Sequence, residues 1–155
     1  MIHRLLREQV VAAAPDEVFE FFSRARNLET LTPPWLRFEV LTPEPIEMGQ
    51  GTRIDYRLRL HRVPLRWVSR IEEWHPGRGF VDRQLHGPYR LWHHRHEFEP
   101  HDRGTLARDI VHYSLPLGPL GALAHAAFVR RDLDAVFEYR RRQIDHLASA
   151  ELLAA

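Results

Sequence analysis

The chain contains no cysteine, which excludes disulfide bridges, thiolate nucleophiles and thiolate zinc sites. Lysine is absent too, because all 22 Lys+Arg positions are arginine. A lysine Schiff base and a phosphate-cradling P-loop lysine are thereby excluded. No run of about 18 apolar residues is available to cross a bilayer, so stable membrane insertion is not expected. Near the start, Arg7, Glu8 and Gln9 interrupt any apolar core of a signal peptide, and the expected compartment is the cytoplasm. Charge of one sign is also missing. The net value is +1, with 22 basic against 21 acidic residues, and the arginines are dispersed apart from Arg140, Arg141 and Arg142. Nothing resembles the basic stripe that nucleic-acid binding requires, so no nucleic-acid partner is expected. Neither a G-x-S-x-G elbow nor an H-E-x-x-H motif occurs.

What is present is a chain of 155 residues with 44% hydrophobic content. That is enough for one domain, residues 1–155, with a core that needs no covalent staples. Residues 3–12, "HRLLREQVVA", read as a first strand. "APDEVFEFFSRARNLETL" then places Pro15 at a first helical position, Asp16 and Glu17 in the first turn, and Val18, Phe19 and Phe22 at helical spacing. A second short helical turn is expected from Asn27 to Leu31, ended by "TPPW".

From Phe38 to Leu115 the period changes to two. Ile54, Tyr56, Leu58 and Leu60 alternate with Arg53, Asp55, Arg57 and Arg59, as in a half-buried antiparallel strand. The turn signals "EMGQGT", "HRVP", "HPGRG", "HGP" and "HDRG" follow at short intervals. They make a meander of about six strands without room for βαβ crossovers. "LPLGPLG" reads as a connector, or as a gate-like loop between sheet and helix. From Ala122 to about Leu147, Val129, Leu133, Val136, Phe137, Arg140, Ile144 and Leu147 share one stripe of a single long helix. The tail "ASAELLAA" frays or extends it. Most of the arginines of this segment, Arg140 included, read as a solvated helix face.

This order predicts an α+β fold in which a curved antiparallel sheet of about seven strands wraps around the C-terminal helix, with one or two short helices after the first strand. A sheet wrapped around one helix leaves a cavity between them. The segments "APDEVFEFFSRARNLETLTPPWLRFEV", "GTRIDYRLRL", "IEEWHPGRGFVDRQLHGPYRLWHHRHEFEP", "GTLARDIVHYSLPLGPLG" and "FVRRDLDAVFEYRR" resemble the SRPBCC or START-like superfamily. This is the helix-grip fold, also called Bet v 1-like, with polyketide cyclase/dehydrase-like and lipid-transport-like members, and the likeness is to a bacterial branch. The resemblance spans nearly the whole chain. It implies the helix-grip fold and a cavity for a lipid, hormone or aromatic product, with cyclases and hydrolytic enzymes among its members. It supplies no shared catalytic motif and implies no cofactor.

Strand parity sorts the histidines of "QLHGPYRLWHHRHEFEP". Trp92, His94, His96 and Phe98 share an inward face, while His93, Arg95 and Glu97 face solvent, and His86 belongs near the hairpin. On the following strand Ala107, Asp109, Val111 and Tyr113 form the better inward face. Keeping the two faces together sets Phe98 opposite Ala107, His96 opposite Asp109 and His94 opposite Val111. On the preceding strand Phe80, Asp82 and Gln84 compete with Val81, Arg83 and Leu85 for the inward face. The candidate ligand-binding residues are therefore His94, His96, Asp109, Tyr113 and Gln84, with Asp82 as a further member. Trp35, Tyr56, Trp67, Trp92 and Phe128 are expected to supply aromatic wall.

Burying so many polar groups costs several kcal/mol, roughly, unless they pair. His96 and Asp109 either satisfy each other and fix the register, or help orient a small, mainly apolar or aromatic ligand. If the protein is an enzyme, His96 and Asp109 are its candidate acid/base pair. Metal binding by His94 and His96, with Asp109 or Asp82 as third ligand, has the right strand geometry but no supporting motif. The pair reads more as the polar handle of a pocket than as a zinc site. The ligand's identity and the oligomeric state are not legible in the sequence.

Overall fold

In the computed structural model, which describes residues 1–151 and 153, the chain begins with strand β1 (His3–Val11). Helix α1 (Pro15–Phe22) follows, opened by Pro15, while the Glu17 carboxylate accepts a hydrogen bond from the Ala14 N–H at 3.2 Å. Its Val18, Phe21 and Phe22 are buried, one helical face against the sheet. The short helix α2 (Asn27–Leu31) and a 3-10 turn at Pro34–Leu36 come next. Six strands then run in sequence: β2 (Glu39–Val40), β3 (Arg53–Leu60), β4 (Val63–His75), β5 (Gly79–His86), β6 (Leu91–His101) and β7 (Gly104–Ser114).

All seven strands form one antiparallel sheet in the order β1-β7-β6-β5-β4-β3-β2. Each hairpin joins neighbours, and β1 pairs with β7 to close the other end. The long strand β4 shifts register against β5 at Val68/Ser69 and again at Ile71/Glu73. Such bulges bend a strand and increase its twist, and here they let the adjacent Val68 and Ser69 both be buried. The β6–β7 register sets Phe98 opposite Ala107, His96 opposite Asp109 and His94 opposite Val111, as strand parity requires.

The C-terminal helical segment is longer than the sequence stripe indicates. It opens with α3 (Gly118–Ala124), widens into a π turn at His125–Val129 and continues as α4 (Arg130–Ser149). Much of "LPLGPLG" is therefore helix and not loop. Gly121 is dictated by a close approach, since a Cβ there would lie 2.1 Å from the Pro116 carbonyl oxygen. α4 buries Leu133, Phe137, Arg140, Ile144 and Ala148, the face turned toward the sheet. Ser149 ends it, and the expectation for the tail falls partly on residues 152, 154 and 155, which lie outside the described residues. Arg140 belongs to this buried face, which corrects its reading as a solvated residue.

The core divides into three clusters, one of them formed by Ala25, Val40, Ile54 and Tyr56 beside β2 and β3. Phe21, Phe22, Phe80, Phe98 and Ile144 pack together at one end, while Leu5, Trp92, Val111, Leu133 and Phe137 pack at the other. A cavity lies between sheet and helix.

Candidate ligand cavity and its histidine–aspartate cluster

The cavity has a volume of about 710 Å³. Interiors are normally packed with few voids larger than a water molecule, whereas small-molecule sites run from about 300 to 1,000 Å³. Most of its wall is apolar: Leu28, Leu31, Leu36, Ile54 and Leu58 together with Phe137. Tyr56, Trp67 and Trp92 add aromatic surface, with Trp67 and Trp92 edge to face at 5.3 Å. The exposed lining residues cluster where the 3-10 turn and the β3–β4 hairpin approach α4, and they mark the mouth. Trp35 stands there, 60% exposed, edge-on to Tyr139 at 6.0 Å. Across the mouth His61 reaches α4 through a 2.6 Å contact with Asp132.

The polar part of the wall is built by β5, β6 and the neighbouring β7. Phe80 and Asp82 of β5 lie opposite His96 and His94 of β6, which settles the inward set on β5 as Phe80 and Asp82. Gly79 makes this pairing close, because a Cβ there would sit 2.0 Å from the His96 carbonyl oxygen. Phe80 stacks on the His96 imidazole at 4.2 Å. The two imidazoles are 3.8 Å apart between ring centroids, and both residues are buried.

Each histidine faces two carboxylates. His96 Nε2 is 2.7 Å from Asp82 Oδ2, and its Nδ1 is 3.2 Å from Asp109 Oδ1. His94 Nε2 is 2.8 Å from the same Asp109 oxygen, and its Nδ1 is 3.7 Å from Asp82 Oδ2. The pairing is thus a four-membered cluster. The expected His96–Asp109 contact is present and is one of several: His96 makes its shortest contact with Asp82, and Asp109 makes its shortest with His94. Asp82, His94 and His96 line the cavity, while Asp109 sits behind them against α4 and does not.

Arg140 comes down from α4 onto this cluster. Its guanidinium is 3.4 Å from Asp109 Oδ1 and 3.5 Å from His96 Nδ1, and it lies over the Phe22 ring at 5.0 Å. Its Nε is buried without a hydrogen-bond partner among the described residues. Sequence reasoning missed this residue as part of the site, although its place on the apolar stripe beside Phe137 and Ile144 was the available signal.

The electrostatics follow from burial and these contacts. Burial works to raise Asp109, but Arg140 and the hydrogen bonds with His94 and His96 hold it well below the usual carboxylate range. Asp82 is likewise lowered, burial being outweighed by its bond to His96 and the nearby positive charges. The imidazoles move apart. Burial and the neighbouring His96 lower His94 despite its bond to Asp109, whereas at His96 the two carboxylates overcome burial and raise it. The two imidazoles, tilted by 30° at 3.8 Å, resist double protonation. Burial, then the charge of Asp82, pushes the Tyr56 phenol well above its ordinary value, so it remains a neutral donor. Its hydroxyl has no hydrogen-bond partner among the described residues.

Besides Asp109, three expected cavity residues lie elsewhere. Gln84 turns back to brace the β5–β6 hairpin, donating to the Tyr89 carbonyl at 2.7 Å and accepting from the Tyr89 N–H at 3.2 Å. Tyr113 is buried, but its hydroxyl meets His125 Nε2 at 2.8 Å and its ring packs beside Tyr89 and Trp92. Phe128 is 62% exposed in the π turn. It aligns in helical phase with Arg131 and Asp132, not with Leu133, so its aromaticity alone was misleading.

An antiparallel sheet gripping a helix over a largely apolar cavity defines a helix-grip, Bet v 1-like protein. Residues 11–138 match the family described as polyketide cyclase / dehydrase and lipid transport, and the chain belongs to it. Among solved structures, the fold is shared with Ara h 8.0201, at 13% identity and a TM-score of 0.70 over 97% of this chain and 99% of that one. TTHA0849 from Thermus thermophilus aligns at 20% identity and a TM-score of 0.68, over 97% and 99%. CV1439 from Chromobacterium violaceum aligns at 15% and 0.72, over 94% and 97%. No curated protein matches the chain by sequence. No helix among the described residues is long and apolar enough to cross a membrane.

Proposed function

We propose that the protein binds a small, mainly apolar or aromatic molecule, of lipid or polyketide type, in the cavity between the sheet and α4. The observation that carries this reading is the single cavity wall, apolar over most of its surface and polar where Asp82, His94 and His96 meet. A ligand of this class would lay its hydrocarbon or ring body against Leu58, Trp67, Trp92 and Phe137. Its oxygen function would face the imidazoles and the free Tyr56 hydroxyl. The family to which the chain belongs supports the reading, since its description covers both polyketide chemistry and lipid transport. A domain with a closed core and no ligand fits less well with a void of about 710 Å³. The cytoplasm is proposed as the compartment, and residues 1–155 as one domain.

Native mass spectrometry of freshly purified protein tests the proposal by seeking a co-purified small molecule. Displacement of a fluorescent apolar probe tests it in vitro. A ligand at 100 times its Kd should add about 2.7 kcal/mol of stability by mass action, read as a higher Tm. If a panel of aromatic and lipid-like molecules neither displaces the probe nor raises Tm, the reading fails.

A second reading has one observation in its favour. His96 faces the cavity with its basicity raised by Asp82 and Asp109, the arrangement of a general acid/base. On that reading Asp82, which lines the cavity, takes the part first expected of Asp109. Turnover of a cyclic or carbonyl substrate that titrates with a histidine would distinguish enzyme from binder.

A further inference from the structure

The geometry points to a site for one divalent transition-metal ion, with Asp82, His94 and His96 as ligands and Asp109 as the residue that orients both imidazoles. This inference concerns the polar end of the cavity and holds whether or not an apolar ligand occupies the rest.

One ligand atom from each of Asp82, His94 and His96 lies within 4.8 Å of the other two. Asp82 Oδ2 is 2.7 Å from His96 Nε2 and 3.7 Å from His94 Nδ1. Bonds of about 2.0–2.1 Å at tetrahedral angles place ligand atoms about 3.3 Å apart, a value these two separations bracket. The third ligand, which the sequence could not choose between Asp82 and Asp109, is identified by which carboxylate shares the cavity wall with the imidazoles.

Asp109 supplies the second, independent observation. Metal-bound histidines as a rule hydrogen-bond their remaining ring nitrogen to a carboxylate or carbonyl, which fixes ring orientation. Here His94 turns Nε2 to Asp109 and Nδ1 toward Asp82, while His96 turns Nδ1 to Asp109 and Nε2 toward Asp82. Both rings thus present one nitrogen to the ligand carboxylate and anchor the other on the same Asp109 oxygen. Arg140 then balances Asp109 from the helix side at 3.4 Å. All four residues of the cluster stand on hydrogen-bonded strands, so the ligand set is held by the sheet and not by loops.

Two carboxylates against one guanidinium leave the cluster one negative charge when both imidazoles are neutral, which favours a dication. Two nitrogens and one oxygen suit zinc or ferrous iron, whereas calcium and magnesium prefer all-oxygen shells. The remaining coordination position would open on the cavity. Water could fill it, or an oxygen donor of a ligand whose body lies along the apolar wall.

The test uses the full chain, treated with a chelator and titrated with Co²⁺ and then Zn²⁺. The expected result is one equivalent bound, with visible absorption typical of four- or five-coordinate cobalt, bleached by zinc. Asp82→Asn, which preserves side-chain shape, should abolish the band. Asp109→Asn should retain one-to-one binding but weaken it about 10- to 100-fold. Far-UV circular dichroism checks the fold of each variant. His94→Gln provides a second ligand test if Asp82→Asn unfolds. No band in the wild type overturns the inference. So does a band unchanged in folded Asp82→Asn and His94→Gln, since the ion would then sit on exposed histidines such as His61 or His101. Probe displacement on the metal-free protein keeps the two readings apart. Probe binding without cobalt binding removes only the metal site, and cobalt binding without probe binding removes only the apolar ligand.

Discussion

Arg140 shows at the level of one residue how a charge is accommodated inside an apolar helix face. It is 8% exposed, and its charge meets Asp109 and two aromatic rings, Phe22 and Phe137. Arg140→Met should lower stability by about 3–5 kcal/mol, because it leaves the Asp109 carboxylate buried without its cation. Combining it with Asp109→Asn should recover part of the loss, measured by urea unfolding. The lowered Asp109 also predicts an acid limb. Above its ordinary value near 3.8, the carboxylate is ionised in both states and its native contacts contribute fully. As the pH falls below that value the unfolded chain takes up the proton first, and the contribution is lost as pH drops through the lowered native value. In metal-free protein, stability below about pH 4 should therefore fall more steeply for the wild type than for Asp109→Asn.

Among the elements, the hairpins decide the site's precision. The β3–β4 turn places His61 and Arg62 at φ of 48° and 70°, the sign that a two-residue type I′ turn requires at both positions. A non-glycine residue there bears roughly 1–2 kcal/mol of strain, so Arg62→Gly should stabilise the protein by about 1 kcal/mol in thermal or urea melts. Loss of stability in that variant would mean that the arginine makes a compensating contact at the mouth. Gly79→Ala should act in the opposite direction. Its new methyl group would press on the His96 carbonyl and part β5 from β6, costing about 1–3 kcal/mol. It should also weaken probe and cobalt binding together, since it displaces Asp82 relative to the imidazoles.

Over the whole molecule, the cavity leaves apolar surface unpacked at a cost in stability. A sheet of seven strands and one long helix could close on themselves, yet about 710 Å³ remains open between sheet and helix. Filling it should reverse the balance. Ala25, buried in the cavity wall, is a suitable position. Ala25→Leu should hold or raise stability, by up to about 1 kcal/mol, while reducing apolar-probe affinity at least several-fold. A variant that gains stability and binds the probe unchanged would place the ligand elsewhere.

The sequence by itself determined the element order, the antiparallel meander and the inward face of β6. These follow from local rules: alternation assigns strand faces, helical spacing assigns the α4 stripe, and a short turn fixes the partner of each residue across a hairpin. The register that sets His96 opposite Asp109 was legible for that reason. Which carboxylate each imidazole meets was not, because it depends on side-chain torsions and on β5, where both Phe80 and Val81 are buried and parity was ambiguous. Tertiary structure alone brought Arg140 from the distant C-terminal helix onto the cluster. It also removed Gln84 to a hairpin, Tyr113 to His125 and Phe128 to the surface. Local periodicity tells a side chain which face it leaves from. Only the packing of sheet against helix decides what waits on the other side.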